Sequence, residues 1–176
     1  MFFKIAEMND LMLREYHNAL EQLRLTGWNV SLKITERKLP EGIKARFGWL
    51  PQDIEEFIVN LEAALSPDEK VWLLGMPDFT RSGVSAFKWN EWEQMSLAAA
   101  ESNPQLITSV VRFWDSHFPI ALSVKSGYAY FAIRKMDLSI VCGEEPEFEE
   151  SSVVASSFLE LLELLVKHDI KLSRWI

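Results

Sequence analysis

The feature that most constrains the fold is a short segment, residues 128–133, that is apolar at every position. The segment reads YAYFAI, so both sets of alternating side chains are apolar. Alternate side chains of a strand point to opposite faces of its sheet, so this strand needs cover on both faces and is predicted to be central. Apolar runs over residues 118–122 and 138–142 predict two neighbouring strands, and Ser126-Gly127 predicts a turn between the first pair.

Amphipathic spacing and capping residues predict helices on both sides of this strand region. Residues 9–25 place apolar side chains three and four apart, with Asn9 and Asp10 as caps and Gly27 just beyond the end. Further helices are predicted over residues 51–64, 66–74, 91–101 and 152–167, and a half-buried strand over residues 30–34; residues 71–74 also fit a strand. This order predicts an α+β single domain with one mixed or antiparallel sheet, flanked by N-terminal helices and a C-terminal helix.

Length and composition limit the class of protein. A chain of 176 residues is the size of one domain, and its 48% apolar content can fill a core. No apolar run approaches the roughly 18 residues of a membrane-spanning helix. The sequence starts without a recognisable signal peptide, so we expect a cytoplasmic protein. The single cysteine, Cys142, excludes an intrachain disulfide and is expected to be a small buried apolar residue.

Charge is distributed unevenly along the chain. The formal net charge is −8; residues 1–50 carry eight basic and six acidic side chains, whereas residues 51–176 carry ten and twenty. An acidic excess repels phosphate backbones and anionic membranes and attracts basic proteins. We therefore expect a protein partner and neither nucleic acid nor membrane, although an acidic surface also serves solubility alone.

The sequence contains no pattern that points to catalysis, a metal or a cofactor. The glycines form no phosphate-binding loop, and no two of the three histidines have metal-ligand spacing. Asp115-Ser116-His117 contains the residue types of a hydrolase triad, but adjacent residues do not align as nucleophile, base and orienting acid. A polar turn before the next strand is the preferred interpretation, and a small hydrolase that uses Asp115 or His117 is the enzymatic alternative. We predict no catalytic residue, no metal and no cofactor.

Several short motifs occur in an order that resembles a known family. The motifs are Leu50-Pro51 with the helix to Phe57, Phe118-Pro119-Ile120-Ala121, Ser126-Gly127, and the final Ser156-Ser157-Phe158-Leu159-Glu160-Leu161-Leu162. This pattern resembles the SUKH superfamily, which includes fungal cell-wall-synthesis regulators and bacterial toxin-immunity proteins. The resemblance covers residues 50–166 and leaves residues 1–49 as an N-terminal helix and strand extension. It implies a non-enzymatic protein-binding domain that neutralises a bacterial polymorphic toxin, often a nuclease; the alternative is a regulatory or scaffold adaptor with an endogenous partner.

The candidate partner-binding residues lie in one acidic segment, residues 144–150. Five glutamates occur there, Glu144, Glu145, Glu147, Glu149 and Glu150, together with Pro146 and Phe148. The dipole of the predicted closing helix would favour Glu149 and Glu150, whereas Glu144, Glu145 and Glu147 have no evident structural reason. Phe148 is either an apolar anchor for a partner or a side chain tucked under the loop. The segment is thus either a solvated connection or a site for a basic partner.

Overall fold

A seven-stranded antiparallel sheet forms the centre of the molecule. The computed structural model describes residues 2–34, 36–80 and 88–176. Within them, each strand pairs with the next one along the chain, in the order β1 to β7. The strands are β1 Asn29–Leu32, β2 Leu61–Leu65, β3 Val71–Leu73, β4 His117–Ser123, β5 Ala129–Arg134, β6 Ile140–Glu144 and β7 Ser152–Ala155. The α+β prediction is therefore confirmed. The prediction allowed a mixed or an antiparallel sheet, and the sheet is antiparallel.

Seven α-helices of the described residues surround this sheet. They are α1 Phe2–Leu25, α2 Glu41–Arg46, α3 Gln52–Asn60, α4 Met76–Thr80, α5 Glu91–Ala99, α6 Pro104–Asp115 and α7 Phe158–Lys167. Gly27, with a φ of +93°, takes the left-handed conformation just after α1. Ser157 caps the start of α7, because its hydroxyl accepts from the Glu160 amide, and the Glu160 carboxylate accepts from the amide of the preceding Ser156. No helix among the described residues has the length and apolar content needed to cross a bilayer.

Strand β5 has the cover on both faces that its sequence demands. It lies between β4 and β6, and only its last residue, Arg134, is not fully buried. Tyr130 contacts Trp92 of α5 and Trp114 of α6. Phe131, whose side chain points to the opposite face, contacts Trp175 near the C-terminus. The predicted central strand is confirmed, and Cys142 on the neighbouring β6 is buried as expected.

Helices α1, α3 and α7 meet in a second part of the core. The rings of Tyr16, Phe57 and Phe158 contact one another at centroid distances of 4.9–5.6 Å. The Tyr16 hydroxyl donates to the buried Asp53 carboxylate at 2.8 Å, so this polar group has a partner inside the core. Burial and the Asp53 carboxylate raise the pKa of Tyr16, which keeps its phenol a donor. Apolar contacts and one polar contact thus fix α1 on α3 and α7.

The predicted elements of the first half are partly wrong. The helix predicted over residues 51–64 ends at Asn60, because Leu61–Leu65 forms β2 between β1 and β3. Residues 66–70 form a turn instead of a capped helix start, and the strand alternative for the following segment is correct, as β3. The residues of β2, LEAAL, favour a helix by propensity, and pairing with two neighbouring strands overrides that preference.

Other boundaries also move. α1 begins before the predicted caps at Asn9 and Asp10, and β1 ends at Leu32, which leaves Ile34 exposed. The closing helix begins at Phe158 and not at residue 152, because Ser152–Ala155 pairs with β6 as β7. The helix predicted at residues 91–101 is confirmed as α5, whereas the strong helix α6 was not predicted. The N-terminal extension includes α2 and, through β1, forms part of the sheet.

The buried face of α7 gives a direct test of this packing. Leu162 is completely buried, whereas Leu159 on the same helix is half-buried. We expect Leu162→Ala to lower the free energy of unfolding by about 2–5 kcal/mol, because it removes buried methyl groups and leaves a cavity. Leu159→Ala, the control, should cost clearly less. Urea unfolding measures both, and equal stabilities for Leu162→Ala and the wild type would show that α7 is placed wrongly.

Candidate protein-binding site

The acidic segment of residues 144–150, here the acidic loop, connects β6 to β7 and is attached to the body at its first two residues. Glu144 pairs with Arg174 at 2.6 Å and accepts a hydrogen bond from the Trp175 indole at 3.2 Å. The Glu145 amide donates to the Tyr128 carbonyl at 2.9 Å, and the Glu145 carboxylate accepts from the Tyr128 amide at 3.1 Å. The expectation that Glu144 and Glu145 have no structural reason is therefore wrong.

The other half of the acidic loop is attached to the core below it. Phe148 is buried, which decides in favour of a side chain tucked under the loop. The Tyr130 hydroxyl donates to the Phe148 carbonyl at 2.6 Å, and the Trp114 indole donates to the Glu149 carboxylate at 2.8 Å. Burial raises the pKa of Tyr130, so its phenol stays protonated and available as a donor at neutral pH.

Gly143 allows the loop to approach the core this closely. A Cβ atom at Gly143 would lie 2.6 Å from the Phe148 carbonyl oxygen and 2.6 Å from the Tyr130 ring and hydroxyl. Only a glycine leaves room for that hydrogen bond in the unshifted backbone. The strand predicted over residues 138–142 stops before Gly143, but the structure places Gly143 inside β6. The need for a glycine at position 143 could not be predicted from the sequence, because it depends on Tyr130 being the strand partner of Gly143.

Three glutamates of the acidic loop face the solvent. Glu145, Glu147 and Glu150 are exposed, and among the described residues no basic group lies within 4.0 Å of their carboxylates. The dipole argument for Glu149 and Glu150 is wrong, because β7 separates them from α7. Glu149 instead accepts a hydrogen bond from the Trp114 indole, and Glu150 is one of the exposed charges. The six predicted site residues thus fall into two overlapping groups. Glu144, Glu145, Phe148 and Glu149 make contacts that hold the loop, whereas Glu145, Glu147 and Glu150 are exposed charges.

An apolar groove lies beside the acidic loop. Its volume is about 440 Å³, and α5 forms one wall while the loop forms the other. The residues that line it, here called the α5 groove, are Met95, Ser96, Ala99, Glu145, Pro146 and Phe148. Met95 and Ala99 were not singled out by the sequence analysis. The small and apolar residues at the end of α5 could have indicated a binding surface, but the sequence did not show that they face the acidic loop.

The residues of the enzymatic alternative are held in structural contacts. Asp115 accepts from the Arg46 guanidinium at 2.7 Å, and Arg46 also forms a fork of two 2.7 Å hydrogen bonds with the buried Glu93. His117 is buried, stacks on Phe113 at 3.9 Å, and its Nδ1 lies 2.8 Å from the Phe113 carbonyl. Burial lowers the pKa of His117. Asp115 is therefore turned towards Arg46, and the structure does not bring it to His117 as an orienting acid.

A cleft of about 860 Å³ lies along α3 and is lined by residues of both charges. Arg37 pairs with Glu62, and Lys44 pairs with Glu55 at 2.9 Å. Among the described residues, no group of three or more His, Cys, Asp or Glu side chains is arranged to hold a metal ion. The cleft therefore shows neither the excess of one charge nor the apolar lining that distinguishes the acidic loop and the α5 groove.

Comparison with known proteins adds no relative. No family model, no curated protein and no solved structure matches this chain. The class of protein is therefore inferred from the fold and from the acidic loop with its adjacent groove.

The close approach of Gly143 to Tyr130 and the Phe148 carbonyl can be tested with two glycine variants. We expect Gly143→Ala to destabilise the protein by about 1–3 kcal/mol, because its methyl group overlaps Tyr130 and the Phe148 carbonyl. Gly42→Ala in α2 is the control: a methyl group there would meet no atom within 4 Å, so the variant should be neutral or stabilised by up to about 1 kcal/mol. Urea unfolding measures both. Two variants of equal stability would contradict the packing described here.

Proposed function

We propose that this chain is a protein-binding domain that captures a basic protein on its acidic loop. The observation that carries the proposal is that Glu147 and Glu150 are exposed on a loop that has five glutamates in seven residues and whose backbone is held by the core. Among the described residues, their carboxylates accept no hydrogen bond and pair with no cation. A basic partner would place cations next to these carboxylates, an arrangement that Coulomb attraction favours.

Attachment of the loop to the core supports recognition as well as stability. Contacts of Glu144, Glu145, Phe148 and Glu149 fix the loop before any partner arrives. Little conformational entropy is then lost on binding, so more of the interaction energy appears as affinity. The exposed charges also steer a basic partner during diffusion and raise the association rate, with a strong dependence on salt.

The kind of partner follows from the charge of the domain and from the resemblance of its motifs to the SUKH superfamily. In this proposal the chain is a cytoplasmic immunity protein of that superfamily, and it neutralises a basic toxin, such as a nuclease. A nuclease toxin binds nucleic acid and is therefore expected to be basic. The net charge of −8 on this chain supports the proposal, because it would attract such a toxin. The domain acts by binding and performs no catalysis. A regulatory or scaffold adaptor would use the same surface for an endogenous basic protein.

The test is whether the chain protects cells from a toxin encoded by a neighbouring gene. We expect co-expression of the wild type to restore growth of cells that produce that toxin. The double variant Glu147→Lys/Glu150→Lys should lose protection, and association with the purified toxin should slow by at least about 10-fold at low ionic strength. Its stability should stay near that of the wild type, because exposed charges contribute little.

The matched control reverses two exposed glutamates elsewhere, Glu15 on α1 and Glu56 on α3. Glu15→Lys/Glu56→Lys changes the net charge by the same amount and should keep protection. Failure of the folded wild type to protect would reject the immunity function, and capture of an endogenous basic protein by the same loop would then favour the adaptor. Equal loss in both double variants would show that net charge acts and that the loop is not the site.

A further inference from the structure

We infer that the α5 groove is the docking site for one large apolar side chain of a basic polypeptide partner, with the partner's Lys or Arg residues meeting the acidic loop. The inference rests on the proposed function and adds the position and chemistry of the central contact. The groove offers about 440 Å³, which is in the range of pockets that hold specific ligand groups.

The walls of the groove expose apolar surface next to the most acidic segment of the chain. Met95 is 37% exposed, and Ala99 and Pro146 are also exposed. Phe148 is buried and closes the groove from below. Apolar surface left in water is unfavourable, and a partner side chain that fills the groove would remove it from solvent.

The charge around the groove decides what can occupy it. Glu145 lies in its lining and Glu147 beside it, and α5 carries Glu91 and Glu93 but no Lys or Arg. Because Arg46 pairs with Glu93, the charge of Glu93 is compensated, whereas Glu145 and Glu147 remain. An anionic surface is repelled there, and a second copy of this chain, itself at −8, is disfavoured. The complementary occupant is an apolar side chain flanked by cations.

Both walls are held in place, so the groove exists before binding. On one side, Trp92 packs in the core against Trp114 and Tyr130, and this contact fixes α5. On the other side, Tyr130 holds the Phe148 carbonyl. One core residue thus contacts both walls. A preformed apolar pocket with a charged rim is the usual arrangement of an interface hot spot, in which the rim excludes water from the central contact.

The test uses two short probe peptides and two variants of the protein. The first peptide has nine residues with leucine at its centre and lysines on both sides; the second has serine in place of leucine. Ala99→Arg fills the groove, and Ala98→Arg, its control, adds the same charge at an exposed neighbouring position outside the lining. Binding is followed by ¹⁵N-¹H NMR titration at low ionic strength, and thermal unfolding verifies that both variants fold.

We expect the leucine peptide to bind at least about 10-fold more tightly than the serine peptide, because one buried leucine side chain supplies that difference. Its largest shifts should fall on the amides of Met95, Ala99 and Phe148. Ala99→Arg should remove the advantage of leucine, whereas Ala98→Arg should keep it.

The inferred docking site is rejected if the two peptides bind with equal affinity, if the two variants have equal effects, or if the leucine peptide does not bind. Protection from the toxin does not depend on these outcomes. If apolar docking in the groove is rejected but protection is intact, the acidic loop remains the binding site. If docking is confirmed but the chain does not protect, only the immunity function is rejected.

Discussion

The hydrogen bond from the Tyr130 hydroxyl to the Phe148 carbonyl joins the sheet, the helices above it and the acidic loop. Tyr130 is fully buried in the central strand, where its ring meets Trp92 and Trp114. Its hydroxyl reaches past Gly143, whose missing side chain leaves the space. If the loop left this position, the buried Tyr130 hydroxyl would lose its acceptor, at a cost of about 1–3 kcal/mol. The placement of the acidic charges therefore depends on the core.

The glutamates of the acidic loop consequently have two different roles. Glu144 and Glu149 hold the C-terminal segment and Trp114, and Glu145 holds the turn at Tyr128. Glu147 and Glu150 make no such contact within the described part of the chain and present their charge outwards. The structure separates the charges that maintain the loop from those available to a partner, and only the second set can be changed without affecting folding.

The sequence predicted those elements whose pattern reflects local burial. The YAYFAI strand and the apolar face of the last helix are correct because uninterrupted or 3.6-residue periodicity requires such burial wherever the element lies. Strand β2 was predicted as helix, because Leu, Glu and Ala favour helices and only its pairing with β1 and β3 overrides that preference. Strand β7 was included in the closing helix although its two valines favour a strand, because its partner β6 could not be read from the sequence. The acidic loop was recognisable by its charge. The α5 groove was not, because its walls come from segments about 50 residues apart in the sequence. The role of Gly143 was not, because it depends on Tyr130 of a neighbouring strand.

The central claim is that the core holds the acidic loop in one conformation before any partner binds. Native-state hydrogen exchange of the Glu145 amide tests it most directly, because this N–H donates to the Tyr128 carbonyl at 2.9 Å at the point where the loop leaves β6. The account predicts exchange at least about 100-fold slower than in an unstructured peptide, and faster exchange in Tyr130→Phe, which loses the hydroxyl that holds the loop. Exchange of this amide at the unstructured rate in the wild-type protein would contradict the account.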